Sequence, residues 1–322
     1  MTLQEQQSGW EGGGTKCRNL LVHAGAEVNT EKLKVDLYAL DERVNQLYFG
    51  ILLLDEQLEQ NRLLQDNLER THRTVSACVD NGTANRSDLD EVAVEQLSTR
   101  QQRVAMEASR RAYADMLLLY LGRPSEEELK LEKPAADEPE GGENRRPELR
   151  WYDAQTARLT AQDASLRTGY MPRLGLFVQG GYGNPGLNML EDKFKAYYVA
   201  GVSLSWNLGR LYTLKNDRRL IENSRRRLET GRSTFLFNTG LEATRQEADV
   251  RALRRQMADD DEIIRLRTRI RQASEVKLQS GTYTVNDLLR DITAESLARQ
   301  QKAIHEIQWL MRLYDWRHTL NN

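Results

Sequence analysis

The chain lacks the residues that would make it a disulfide scaffold, a metal protein or a bundle of membrane-crossing helices. Its 322 residues include two cysteines, Cys17 and Cys78, far apart and in no metal-type spacing. They pair or stay as thiols, and free thiols are the simpler reading. The four histidines, His23, His72, His305 and His318, form no ligand pattern. No apolar run reaches about 18 residues, so no transmembrane helix is expected. The first ten residues have no basic stretch leading into an apolar core and do not read as a signal peptide. Lys and Arg offset Asp and Glu to a net −2, which gives bulk electrostatics no reason to favour nucleic acid. Catalytic groupings are also missing. No nucleophile lies beside a base, and Gly180, Gly181 and Gly183 open no helix as a phosphate-binding loop does. No catalytic residue, cofactor or metal is expected.

What the chain does have is a long internal repeat. Gly82, Thr83, Ala84, Asn85, Arg86, Ser87, Asp88 and Leu89 lead on to Arg100, Gln101 and Gln102. Gly281, Thr282, Tyr283, Thr284, Val285, Asn286, Asp287 and Leu288 lead on to Arg299, Gln300 and Gln301. The offset between the copies is 199 throughout, and a repeat at fixed spacing reports architecture. Each copy has the chemistry of a helical hairpin tip. Glycine takes the left-handed conformation that ends a helix. Ser87 and Asn286 suit an N-cap, and the following aspartate lies in a first turn, where the helix dipole favours negative charge.

Long helices flank both tips. From about Asn29 to Val79, the residues Leu37, Leu40, Val44, Leu47, Ile51, Leu54 and Leu58 keep the 3–4 spacing of a supercoiled seam. About 50 residues make a rod of roughly 75 Å. The return helix runs from Ser87 to about Leu121, with Leu97, Val104, Ala108, Ala112 and Met116 along one side. Four of the six prolines fall between Pro124 and Pro147, so this acidic stretch is a linker. Glu148 to Leu166 is helical again. Leu211 to about Leu278 forms the second long helix. Its seam (Ile263, Leu266, Ile270, Ala273) is interrupted by Arg225 to Arg227 and by Asp259 to Asp261, as in a solvated rod. Asp291 to about Leu320 returns, with Ile304, Ile307, Met311 and Tyr314 on one stripe.

Between these helices the period changes to two. Leu174, Leu176 and Val178 alternate with Gly175 and Gln179. Ala200, Val202 and Leu204 alternate with Gly201, Ser203 and Ser205. Each run has the length of a tilted barrel strand, and the loop from Asn184 to Lys195 joins them. Taken alone, the alternation also fits a soluble hairpin packed on a core. Residues 10–16 resemble the strand end at Trp206 to Arg210.

This order of elements resembles the TolC family of outer-membrane efflux channels over about residues 10–322. The likeness rests on Val35 to Leu40 with Arg43 to Phe49, on both tips, and on Tyr170 to Leu174 leading into Gly180 to Gly183 and Ser205 to Asn207. It implies a mainly α fold: long antiparallel coiled-coil hairpins building a tunnel, with a small membrane β-barrel portion. Residues 1–16 would be a remnant of a first barrel hairpin, 17–121 the first coiled-coil hairpin and 122–148 an equatorial linker. Residues 149–169 would lead to the barrel, 170–208 form the outer-membrane β-hairpin, and 209–322 the second coiled-coil hairpin.

The resemblance further implies a homotrimer in the outer membrane with a periplasmic extension. A periplasmic adaptor would join it to an inner-membrane efflux transporter. Gly82, Thr83, Ala84, Gly281, Thr282 and Tyr283 would dock the adaptor. Asp287 matches the first acidic residue of the family's entrance constriction, and the second would fall to Asp291, because Arg290 occupies the matching position. Leu278 replaces the tyrosine before the second tip. Leu174, Leu176, Val178, Ala200, Val202 and Leu204 would face lipid. With two strands expected per chain, three chains offer six rather than twelve, so the sequence reads as an N-terminally truncated subunit. The other readings are a soluble coiled-coil scaffold and a non-functional fragment of a channel gene.

Overall fold

A computed structural model describes residues 2–10, 13–124, 127, 129–137, 144–184, 190 and 194–321, with side chains from residue 13 onward. In order, the elements are β1 (Thr2–Trp10), α1 (Gly14–Asp80), α2 (Arg86–Leu121), α3 (Pro147–Thr168), β2 (Arg173–Gly183), β3 (Lys195–Ser205), α4 (Leu211–Gln279) and α5 (Val285–Leu320). Most of the strand-joining loop (185–189 and 191–193), the middle of the linker (138–143) and residues 11–12 lie outside the described residues. The chain divides into two compact units, 1–37 with 146–238 and 38–145 with 239–322. Helices α1 and α4 contribute to both.

Three differences from the sequence reading concern where elements lie and how they begin. The first helix starts at Gly14, not near Asn29. Ala24 and Val28 are buried in the first unit, so packing extends the helix beyond the coiled-coil pattern that announces it. The N-terminal segment holds a strand, where a remnant with only two strands later in the chain was expected. Thr2 to Trp10 has no apolar alternation, so only its pairing with β2 marks it as a strand. The third concerns the caps. Asn85 and Thr284 cap the return helices, two residues before Ser87 and Asn286.

In the first unit three helical segments each bury a few side chains: Ala24 and Val28 of α1, Ala154, Leu159 and Ala161 of α3, and Ile221 of α4. Tyr152 packs against Phe235 with ring centroids 6.2 Å apart. The sheet has the order β1-β2-β3, antiparallel throughout. Its register joins like with like: Leu174 opposes Leu204, Leu176 opposes Val202, and Val178 opposes Ala200. On the other face Phe177 lies over Gly201 and Tyr197 over Gly181, aromatic rings covering glycines that leave the strands room.

In the second unit, α5 is the central helix. Val285, Leu288, Leu289 and Ile292 pack with Leu64, Leu68 and Val75 of α1 and Val92 of α2. Farther along, Ile307 and Leu310 meet Phe49 and Leu52 of α1. Phe49 and Leu52 lie outside the predicted seam. Two of the seam's leucines, Leu37 and Leu40, are exposed, the first of them in the first unit. On α2 the predicted side is the uncovered one: Leu97, Val104 and Met116 are exposed, while Val92, Thr99, Leu117 and Leu118 are buried. The linker does not float. Leu129 and Leu131 pack beside Ile51 and Leu117, Arg110 donates to the Leu129 carbonyl at 3.0 Å, and Lys133 pairs with Glu56 at 2.7 Å.

Helix α4 is largely exposed, as the solvated-rod reading expects, but its few buried positions are not the expected seam. Its predicted seam residues Ile263, Leu266 and Ile270 are exposed, while Asp260 and Ser274 are buried. Two of the three aspartates in the acidic run pair with α5. Asp260 meets the imidazole of His305 at 2.9 Å, and Asp261 accepts from Lys302 at 2.6 Å. The α4–α5 contact is held by ion pairs and hydrogen bonds where α1–α5 uses apolar packing.

Candidate functional site

The two tips are copies of one structure. Gly82 and Gly281 have φ of 70° and 71°, the left-handed region. In the first, Gly82 N–H donates to Val79 O at 3.0 Å and Thr83 N–H to Cys78 O at 2.8 Å. In the second, Gly281 N–H donates to Leu278 O and Thr282 N–H to Lys277 O, both at 3.0 Å. This is the paired closure of a Schellman cap. The threonine is explained too: each hydroxyl donates to the same carbonyl as its own N–H, at 3.0 Å from Thr83 and 3.2 Å from Thr282. Ala84 adds a third bond to Cys78 O. Tyr283 has the ammonium of Lys277 5.4 Å above its ring. Nothing lies within 4 Å of where a Cβ would stand on either glycine, so backbone conformation alone demands glycine.

Asp287 is tied into its helix start. Its N–H donates to Thr284 Oγ1 at 3.1 Å, and the Thr284 hydroxyl donates back to Asp287 Oδ2 at 2.7 Å. The hydroxyl, aided by Arg290 at 3.4 Å, holds this carboxyl below the usual range. Asp88 uses its carboxylate likewise, accepting from Asn85 N–H at 2.9 Å. Between the starts of α2 and α5 runs a groove of about 780 Å³, with Val94 and Leu297 on its walls and Asp90, Glu91, Glu95 and Arg290 among its charges.

Asp291 does not line an open face. It is 8% exposed, and its Oδ2 accepts from Ser274 at 2.6 Å and Tyr283 at 3.2 Å. One turn farther on, the buried Glu295 accepts from Thr268 at 2.9 Å, Arg299 at 2.7 Å and the Arg271 guanidinium. Burial raises the Glu295 pKa, but these donors outweigh it and the carboxyl titrates below its ordinary value. Sequence reasoning missed Ser274, Glu295, Asp260 and His305, although the 199-residue offset carried a signal. It equates Ser274 and Asp291 with Val75 and Val92, which are fully buried in the apolar cluster. The same place in the hairpin is apolar in one copy and hydrogen-bonded in the other.

No protein-family model matches the sequence, and neither does any curated protein. Solved structures do match. The open-state outer membrane channel MtrE of Neisseria gonorrhoeae superposes with TM-score 0.78 at 14% identity, over 100% of this chain and 79% of that one. The outer membrane protein VceC of Vibrio cholerae gives 0.75 at 15% identity, over 99% and 77%. The outer membrane channel CmeC of Campylobacter jejuni gives 0.75 at 13% identity, over 99% and 70%. The fold is that of the TolC-type channels.

A TolC-type fold with a sheet of this composition has one unusual feature for a protein surface. Leu174, Leu176, Val178, Val202 and Leu204 are all exposed, between 42% and 67%, and Ala200 is exposed beside them. Gly201 and Ser203, on the opposite face, are less so. No element among the described residues covers the apolar face. At one end of the sheet, Trp206 donates its indole N–H to Tyr170 O at 3.0 Å.

Proposed function

We propose that this chain is an outer-membrane channel subunit, a passive conduit rather than an enzyme. It acts as a homotrimer, with its sheet in the outer membrane and its hairpins extended into the periplasm. The observation that carries this reading is the uncovered apolar face made by the matched pairs of β2 and β3. In water such a contiguous patch is a liability; against lipid it is the required outer surface of a barrel wall. The TolC-type fold supports the same reading. We assign Leu174, Leu176, Val178, Ala200, Val202 and Leu204 to lipid.

The tips at Gly82 to Ala84 and Gly281 to Tyr283, with the groove between α2 and α5, dock a periplasmic adaptor that couples the channel to an inner-membrane transporter. The acidic rim at Asp90, Glu91 and Glu95, around Val94 and Leu297, suits an adaptor helix with an apolar stripe flanked by basic residues. Asp287 of three chains forms the acidic ring at the periplasmic mouth. Asp291 supports it from inside the hairpin by holding Tyr283 and Ser274.

Recording from the assembled protein in planar bilayers tests the reading. The expected result is a cation-selective conductance blocked by multivalent cations. Asp287→Asn relaxes both the selectivity and the block. Absence of any conductance from a protein that has entered the bilayer counts against a conduit, whereas selectivity unchanged by Asp287→Asn removes only the ring.

A further inference from the structure

The first unit carries a concentration of positive charge that the channel reading does not use. Between Arg210 and Arg232 the chain has eight Lys and Arg against three Asp and Glu, in a protein of net charge −2. The start of α4 and the end of α3 frame a groove of about 560 Å³, whose cations are Arg167, Lys215, Arg218, Arg219 and Arg225. Leu211 and Leu214 give it an apolar side, and Asp163 and Glu222 are its acids. The acids are committed. Asp163 pairs with Arg167 at 2.8 Å and lies 4.0 Å from Arg218; Glu222 pairs with Arg226 at 3.3 Å. Lys215 and Arg219 have no ion pair among the described residues.

The groove's surroundings have an order of their own. Strand β3 ends at Ser205, opposite Arg173 of β2. Next come Trp206, Leu208, Leu211 and Tyr212, exposed by 55%, 55%, 46% and 93%. Then come the cations of α4. Apolar strand face, exposed aromatics, then basic side chains is the succession met on passing from acyl chains through the interface to headgroups. The groove's apolar residues, Leu211 and Leu214, follow the end of β3 within ten residues of the chain. The groove's surplus of guanidinium and ammonium groups matches a phosphodiester.

We propose that this groove holds the headgroup of an anionic glycerophospholipid from the leaflet on the helix side of the sheet. Arg218 and Arg219 contact the phosphate, Lys215 approaches as a point charge, and Leu211 and Leu214 meet the first acyl carbons. This rests on the outer-membrane reading and adds a lipid class to it.

Native mass spectrometry of the full chain in detergent, titrated with short-chain phosphatidylglycerol or phosphatidylcholine, tests the site. Phosphatidylglycerol is expected to be retained in preference. Lys215→Gln with Arg219→Gln, which breaks no ion pair, lowers its occupancy roughly tenfold. The same charge change at Arg267→Gln with Arg269→Gln leaves occupancy unaltered. Equal retention of both lipids overturns the proposal, as does full retention by the first double variant. So does displacement of the lipid by millimolar inorganic phosphate, or a change in oligomer mass in place of lipid occupancy. Flotation on phosphatidylcholine vesicles separates the two readings. Wild type that floats but shows no headgroup preference loses only the lipid site, while failure to float on any vesicle removes the outer-membrane reading beneath it.

Discussion

A single backbone angle decides the residue at each hairpin tip. Gly82 and Gly281 stand in open space, so a methyl group meets no neighbour there; the objection to it is the left-handed φ. For an L residue that conformation costs about 1–2 kcal/mol. Gly281→Ala is therefore expected to destabilise the protein by about 1 kcal/mol. Gly240→Ala, in the middle of α4 and equally uncrowded, gains about 0.5–1 kcal/mol. Thermal unfolding followed by helical circular dichroism reads both, and equal signs at the two positions contradict the account. Asp287 shows how far one residue can be read locally. Its hydrogen bonds with Thr284 explain it as a capping group, as Asp88 is for Asn85, and a role at a channel mouth comes only with other copies.

Among elements, the two hairpins are the same form with different interiors. Val75 and Val92 in the first are Ser274 and Asp291 in the second. A buried carboxylate is tolerable only while its donors are present. Ser274→Val alone is expected to cost about 1–3 kcal/mol, since it leaves Asp291 with Tyr283 as its one remaining donor among the described residues. Adding Asp291→Val rebuilds the valine pair of the first hairpin and recovers most of the loss. Chemical denaturation of the single and double variants checks this; a double variant worse than Ser274→Val removes the equivalence of the two sites. The β2–β3 pair makes a second comparison, between its faces. If its exposed apolar side meets lipid, Val202→Arg costs about 2–4 kcal/mol of barrel stability and Ser203→Arg much less. Urea unfolding in vesicles measures both, and equal costs at 202 and 203 contradict the assignment of faces.

For the whole molecule, the uncovered surfaces matter most. Leu97, Val104 and Met116 form an exposed apolar stripe on α2, and Ile263, Leu266 and Ile270 another on α4. A lone chain leaves these stripes wet, whereas the proposed ring of copies would cover them. If the proposed homotrimer buries the α2 stripe, Leu97→Lys with Val104→Lys shifts the protein from trimer toward monomer with its helical content kept. Sedimentation velocity reads the mass and circular dichroism the helix. A trimer that survives both substitutions means that the α2 stripe is not an interface between copies.

Periodicity determined much of this from the chain alone. The 3–4 spacing of Leu47, Ile51, Leu54 and Leu58 marks a helix whatever it packs against, and the alternation through Val202 and Leu204 marks a strand. The Gly-Thr pairs mark the tips because local backbone bonds make them so. Partners were not legible in the same way. Side-chain spacing gives a helix its faces but does not say which face meets which neighbour. Hence Phe49 and Leu52 outrank the seam at Leu37 and Leu40, and α2 buries the side opposite its predicted stripe. Charge was misread for the same reason: Asp260 in an acidic run looks solvated until His305, 45 residues away in sequence, is folded against it. Strand β1 carries no apolar alternation, and only pairing with β2 reveals it. Local propensity acts within a few residues along the chain, whereas burial and ion pairing are settled between segments far apart, so only the tertiary structure decided those.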